Sequence, residues 1–174
     1  MLRDFNLLAT TSRGNEDKER SELQFLLEEV GDSAATIEKT GVLGLVAAKT
    51  VLNPFEVIEK FRAILRVRSY EFRYTLRVIP IEAVVPTDLA EIQKITARLC
   101  SKIGQNETFR VTVEKRFTGI HSREIIEAAA EKIKRKVDLT NPRKILLIEI
   151  IGGLTGISVI EPSDVLSVVK ERML

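Results

Sequence analysis

Cysteine and histidine are almost missing from this chain: among 174 residues there is one of each, Cys100 and His121. A lone thiol excludes an internal disulfide, and one residue of each type excludes a Cys/His zinc cluster. Cys100 falls in an apolar helical pattern with Leu99 and Ile103, where a free thiol acts as a small packed hydrophobe. Long apolar runs are missing too. The stretches at 41–48 and 145–160 are short or broken by Glu149, well below the ~20 uninterrupted residues of a membrane span. Asp4 and Asn6 interrupt any signal-peptide core at the start, so a cytoplasmic protein is expected.

Signatures of chemistry are equally sparse. His121 is the one histidine that could serve a nucleophile as base, and no serine sits in a nucleophile elbow. No phosphate-binding loop appears, and Gly152, Gly153 and Gly156 are followed by a strand pattern, which fails the dinucleotide fingerprint. Glu124, Glu127 and Glu131 share a helix with Arg123, Lys132 and Arg135 and read as helix ion pairs. No catalytic residue, metal ligand or cofactor is expected, and the chain reads as no enzyme.

What is present is an ordinary globular composition, 44% hydrophobic and 30% charged, long enough for one domain or two compact ones. The net charge of +2 hides an uneven distribution. Residues 15–38 hold eight acids against two bases, residues 60–77 six bases against one acid, and residues 109–144 ten bases against five acids. Concentrated basic surface is the footprint of a polyanion partner.

Periodicity divides the chain near Pro86. A strand at 5–10 precedes a helix at 16–30, in which Leu23, Leu26, Leu27 and Val30 recur on one face and Gly31 marks the end. Strands at 34–40 and 42–50 flank Gly41, and Asn53-Pro54 opens a second helix carrying Ile58, Phe61 and Leu65. A long strand at 70–85 follows. The order β-α-β-β-α-β over residues 1–86 predicts a ferredoxin-like domain. Residues 87–174 then read α-β-α-β-β-α: helix 89–103, strand 108–115, helix 125–137, strand 145–151, strand 155–160 and helix 165–172. The expected class is α/β in the α+β sense, with the two domains packed together.

Basic residues gather around the second of these helices. Lys132 and Lys136 lie one predicted turn apart with Arg135 beside them, Arg143 and Lys144 enter the next strand, and Lys115, Arg116 and Arg123 flank the preceding loop. If the loop and the far turn share one side, these residues converge on phosphates, with Ser122 and the amides of the helix start binding one more. Arg62 and Arg66 extend the basic surface into the first domain. No recognition-helix motif is present and the loops lack aromatic interleaving, so shaped RNA is the expected nucleic acid. Phe117 fits either a core position or a stacking role.

The segment 109–160 resembles the THUMP module, an RNA-binding domain of tRNA-modifying enzymes. The residues that carry the resemblance are Thr118-Gly119-Ile120-His121-Ser122-Arg123-Glu124, then Val137-Asp138-Leu139-Thr140-Asn141-Pro142, the strand 145–150, and Gly156-Ile157-Ser158-Val159-Ile160. Arg77-Val78-Ile79-Pro80-Ile81 and the helix after it resemble the entry to this module in the adaptors required for cytidine acetylation in tRNA. The resemblance implies a non-catalytic protein that captures tRNA near its acceptor end and presents it to a separately encoded modifying enzyme, an acetyltransferase above all. Methylation or thiolation enzymes are the alternative partners, because in most of the family a catalytic domain follows the module, whereas this sequence ends at Leu174. A small enzyme on the ferredoxin-like half is a further alternative, although the 10–20 turn region shows no Arg/Asn phosphate cradle.

Overall fold

The computed structural model describes residues 2–174 and shows a mixed α/β chain that divides into two compact units. Residues up to Ile81 together with Ser163–Leu174 form the first, and Glu82–Pro162 form the second.

In the first unit β1 (Leu7–Thr10), β2 (Thr36–Lys39), β3 (Leu45–Lys49) and β4 (Arg77–Pro80) pair antiparallel in the order β4-β1-β3-β2. Helices α1 (Glu16–Glu29) and α2 (Pro54–Val67) cover one face. This is the ferredoxin-like arrangement that the element order predicts. Leu23, Leu26 and Leu27 of α1 and Val57, Ile58, Phe61 and Leu65 of α2 meet Leu7, Ala9, Val46, Ala48 and Val78 in one core. Asn53 Oδ1 caps α2 by accepting the Phe55 N–H at 2.9 Å, with proline following at the first helical position.

Two expectations about this unit are corrected. The strand expected at 70–85 is not continuous: a helical turn fills Ser69–Glu71, and β4 is followed by β5 (Ala83–Pro86), which pairs in the other sheet. Likewise, residues 165–172 do not form one helix in the second domain. Leu166–Ser167 is a short strand, β10, on the open edge of β4, and the helix that follows, Val168–Arg172, belongs to the first unit. The expected boundary at 86 is thus replaced by one exit at 81–82 and one return at 162–163.

The return is fastened by Arg62. The residue is 7% exposed, and its guanidinium donates to Glu171 Oε1 at 2.9 Å, to the Ser163 carbonyl at 2.6 Å, to Val165 O at 3.4 Å and to Glu59. Several fixed donors converging on carbonyls and carboxylates is the role for which a guanidinium is suited.

The second unit holds the sheet β5-β9-β8-β6-β7, where β6 is Thr108–Arg116, β7 Lys136–Val137, β8 Lys144–Ile151 and β9 Leu154–Ile160. Strands β6, β7 and β8 run parallel, and β9 returns antiparallel to both β8 and β5. Helices α3 (Leu89–Leu99) and α4 (Ser122–Ala130) pack on one face through Ile92, Ile95, Ile125 and Ala129 against Phe109, Leu146, Ile148, Ile150, Ile157 and Val159. Asp88 caps α3 by accepting the N–H of Ala90 and Glu91.

One buried acid stands out in the first unit. Glu19 of α1 is fully buried, and Thr75 Oγ1 lies 3.0 Å from its carboxylate and 2.6 Å from Glu22 Oε2. Burial, with the nearby charge of Glu22, pushes the Glu19 carboxyl from 4.5 up to about 8, against the opposing pull of Thr75. A hydroxyl has one proton to give. Thr75 therefore has a single proton to divide between the carboxylates of Glu19 and Glu22.

Two outcomes follow. Because folded Glu19 keeps a proton that the unfolded chain has lost between pH 4.5 and about 8, stability falls as pH rises through that window and levels off above it. Glu19→Gln should therefore gain on the parent as pH rises, which denaturant midpoints at acidic and alkaline pH will measure. Arg62→Ala, which strips the Ser163 and Val165 carbonyls and half-buried Glu171 of their donor, should cost about 3 kcal/mol in the same assay, with Arg62→Lys recovering only part.

Candidate nucleic-acid interface

The parallel register of β6 with β8 sets where the basic residues fall. Phe109 lies opposite Lys144 at one end and Arg116 opposite Ile151 at the other, while Lys136 lies opposite Thr108. At ~3.3 Å per residue the two ends of β6 are about 26 Å apart. The expected single cluster is therefore two. Lys115, Arg116, Ser122 and Arg123 stand where β6 ends and α4 begins, whereas Lys132, Arg135, Lys136, Arg143 and Lys144 stand where β6 starts.

At the first end most of the charge is used internally. Arg116 Nη1 donates to Glu149 Oε2 at 2.6 Å, and Glu149 is completely buried. Glu149 opposes Glu114 in the register, so Arg116, two residues further along β6, projects from the same face, away from the helices. Lys115 Nζ donates to the Ile120 carbonyl at 3.1 Å, and exposed Arg123 pairs with Glu127 at 2.9 Å one turn along α4. Ser122 is the first residue of α4, not its cap; His121 occupies that position and its N–H donates to Glu124 Oε2. Phe117 is 74% exposed with φ of 59°, which removes the core reading. Its left-handed turn is followed by an N–H from Gly152 to Arg116 O at 2.8 Å, which ties the loop to the β8–β9 hairpin.

At the other end α4 stops at Ala130, seven residues short of the helix that the apolar stripe predicts. Non-local bonds divert the chain. Arg135 Nε donates to the carbonyls of Ile103 and Gly104 at 3.1 and 3.0 Å, Ile133 is buried in the core, and Lys136–Val137 joins β6 as β7. Lys132 and Lys136 are thus not a helical turn apart. Asp138 accepts the N–H of Asn141 and Thr140, which holds its carboxyl below the ordinary range with help from the charge of Lys136 and closes the turn before β8. Arg143 and Lys144 are largely neutralised: Glu107 meets Lys144 at 3.2 Å and Arg143 at 3.4 Å, and Glu161 meets Arg143 at 3.2 Å.

The cations left for a ligand at this end are Lys132, Lys134 and Lys136, all exposed and with no carboxylate in ion-pair contact among the described residues. Arg98 in the last turn of α3 is a fourth, since α3 runs from the hairpin side, where the Thr87 N–H donates to Gly153 O, toward Ile103. Lys134 and Arg98 were absent from the expected set. The run Lys132-Ile133-Lys134-Arg135-Lys136 was the available signal for the first, and no sequence signal pointed to the second. In the first unit, Arg66 is exposed on α2, whereas Arg62 is internal and unavailable to RNA. Among the described residues no group of three His, Cys, Asp or Glu could hold a metal ion, and no helix is long and apolar enough to cross a membrane.

The model of the THUMP domain matches residues 86–160, which hold the sheet of the second unit apart from all but the last residue of β5. This chain contains a THUMP domain. The motif residues of that domain prove structural as well as local: Asp138 holds the turn, and the exposed lysines follow α4. Among solved structures, PH1313 from Pyrococcus horikoshii aligns with a TM-score of 0.64 and 20% identity over 91% of this chain and 55% of its own. TrmN from Thermus thermophilus gives 0.56 and 18% over 90% and 45%. A 4-thiouridine synthetase solved with RNA and bound ATP gives 0.53 and 16% over 91% and 42%. These likenesses establish the fold, and the chain spans about half the length of the structures it matches. No curated protein sequence matches it.

Arg116 separates a structural from an RNA-contacting role. Arg116→Ala takes the guanidinium from a buried carboxylate, and should lower stability by about 3 kcal/mol in denaturant titration. A residue whose role is phosphate contact would leave the midpoint unchanged.

Proposed function

We propose that this chain is a non-catalytic tRNA-binding protein that presents folded tRNA, through its acceptor end, to a separately encoded modifying enzyme. The observation that carries the reading is the THUMP domain at residues 86–160 bearing Arg98, Lys132, Lys134 and Lys136 at one end, exposed and without an ion-pair partner among the described residues. Four exposed cations at one end of the domain suit phosphates of a shaped RNA better than a base-specific contact. That the chain leaves the chemistry to a partner is supported by its single histidine and single cysteine. Cytidine acetylation is the reaction we assign to the partner, on the resemblance of residues 77–81 and the following helix to the acetylation adaptors. One of the neighbours, the 4-thiouridine synthetase crystallised with RNA, favours thiolation as the second reading.

Gel-shift titration should show a preference for folded tRNA over an unrelated RNA duplex, and binding should fall steeply with salt through counterion release. Equal binding of both RNAs removes the proposal. Reversing Lys132, Lys134 and Lys136 to Glu should weaken binding at least tenfold and lower the salt slope by about one per lost phosphate contact, while reversing Glu28 and Glu29 of α1 should not. Nucleoside analysis of tRNA from a deletion strain identifies the partner's chemistry: missing acetylcytidine supports the first reading, and a missing thiolated nucleoside the second.

A further inference from the structure

The chain has two tyrosines and no tryptophan. Both tyrosines, Tyr70 and Tyr74, line one open groove of about 690 Å³ in the first unit together with Phe25 of α1. Phe25 is 38% exposed and Tyr70 64%, so their rings are not spent on the core. Three aromatic side chains brought to one surface groove, from segments more than forty residues apart, are a large share of a chain with 5% aromatics.

The groove's charged residues sort into two sets. Its acids are engaged: Asp17 pairs with Lys39 at 3.2 Å and Arg20 at 3.5 Å, and Glu71 pairs with Arg68 at 3.6 Å. Glu22 accepts the N–H of Arg73, Tyr74 and Thr75 at 2.8, 3.0 and 2.7 Å. Its cations are not engaged: Lys18 and Arg73 are exposed and have no carboxylate in ion-pair contact among the described residues. Lys18 Nζ instead lies 5.4 Å from the centre of the Tyr74 ring. The groove therefore offers aromatic faces beside two unspent positive charges.

Its wall is also held in place. Glu22 fixes the backbone of 73–75, and Arg172 Nη2 donates to the carbonyls of Ser69 and Phe72 at 2.9 and 2.7 Å. Exposed rings on a pinned segment lose little freedom when a ligand arrives, which is the condition for a preformed site.

We propose that this groove binds an unpaired nucleotide of RNA, the base stacked on Phe25, Tyr70 and Tyr74 and the phosphate against Lys18 and Arg73. The choice of RNA rests on the tRNA-binding reading above; the groove's chemistry rests on its own residues. Every base has a π-face, so the site is tolerant of sequence. A proline-rich peptide also docks on aromatic grooves, but it offers nothing to the two unpaired cations.

The two tyrosines are the chain's main fluorophores, so their emission reports on this groove directly. Titration with a short oligoadenylate should quench it, whereas tripolyphosphate, which has no base, and a proline-rich peptide should not. Phe25→Ala and Arg73→Gln, both at exposed positions, should each weaken oligoadenylate binding about tenfold, the scale of one stacked base. Tyr70→Phe keeps a ring and should keep the affinity. Unchanged tyrosine emission, or equal affinity in the Phe25→Ala and Arg73→Gln variants, overturns the groove assignment, and quenching by the peptide overturns it in favour of a protein partner. Folded tRNA that still binds in those cases leaves the tRNA reading standing. Quenching by oligoadenylate in a protein that shows no preference for tRNA does the reverse, retaining the groove and removing that reading.

Discussion

Parallel strands cannot be joined by a tight turn, and the pairing of β6 with β8 governs much of the second unit for that reason. The chain must leave β6 at one end of the sheet and travel back to the other before β8 can start. Helix α4 makes that return, covering the core through Ile125 and Ala129, and the segment after it is delivered to the start of β6. Every basic residue between 115 and 144 takes its place from this crossover. Those before α4 fall at one end, those after it at the other, and the acids already there decide which remain available.

Charge is spent inside the protein before it is offered outside. Arg62, Arg116 and Arg135 are held by partners within the protein, and each one ends a geometric problem: a returning tail, a carboxylate within a sheet, a helix that must stop. Guanidinium suits these positions because its donors form a fixed fork that can reach several acceptors. Lys132, Lys134 and Lys136 remain at the surface, where a flexible ammonium costs little to keep hydrated. Internal partners, more than residue type, separate the structural cations from the candidate RNA-binding ones, since Arg98 is exposed and Lys144 is held by Glu107.

The architecture was readable where it depends on local periodicity. The α1 stripe, the Asn53-Pro54 helix start and the alternation of β6 all form as their patterns indicate. The THUMP resemblance likewise rested on contiguous motifs. What escaped the sequence is non-local. Residues 70–85 have uniform strand character, and nothing in them marks that Arg77–Pro80 and Ala83–Pro86 serve different sheets. The stripe through 125–137 continues past Ala130 because Ile133 is indeed a core residue, although it reaches the core from a turn. Arg62 and Arg66 look alike in a basic helix, and burial separates them only once Glu171 and the Ser163 carbonyl arrive from a hundred residues away. The aromatic groove was invisible for the same reason, since Phe25 and Tyr70 belong to different segments.

The return of the chain at Ser163 also orders its synthesis. The second unit ends at Pro162, so all its strands are translated before β10. The first unit, although its strands β1 to β4 appear earlier, waits for Ser163–Leu174 to cover the edge of β4 and to bring Glu171 to Arg62. At about 5–20 residues per second that delay lasts roughly 4–16 s. During it the nascent first unit displays an open strand edge and a helix carrying an arginine without its final partners. The N-terminal unit, though its translation starts first, thus receives its closing segment only after the inserted unit has been translated in full.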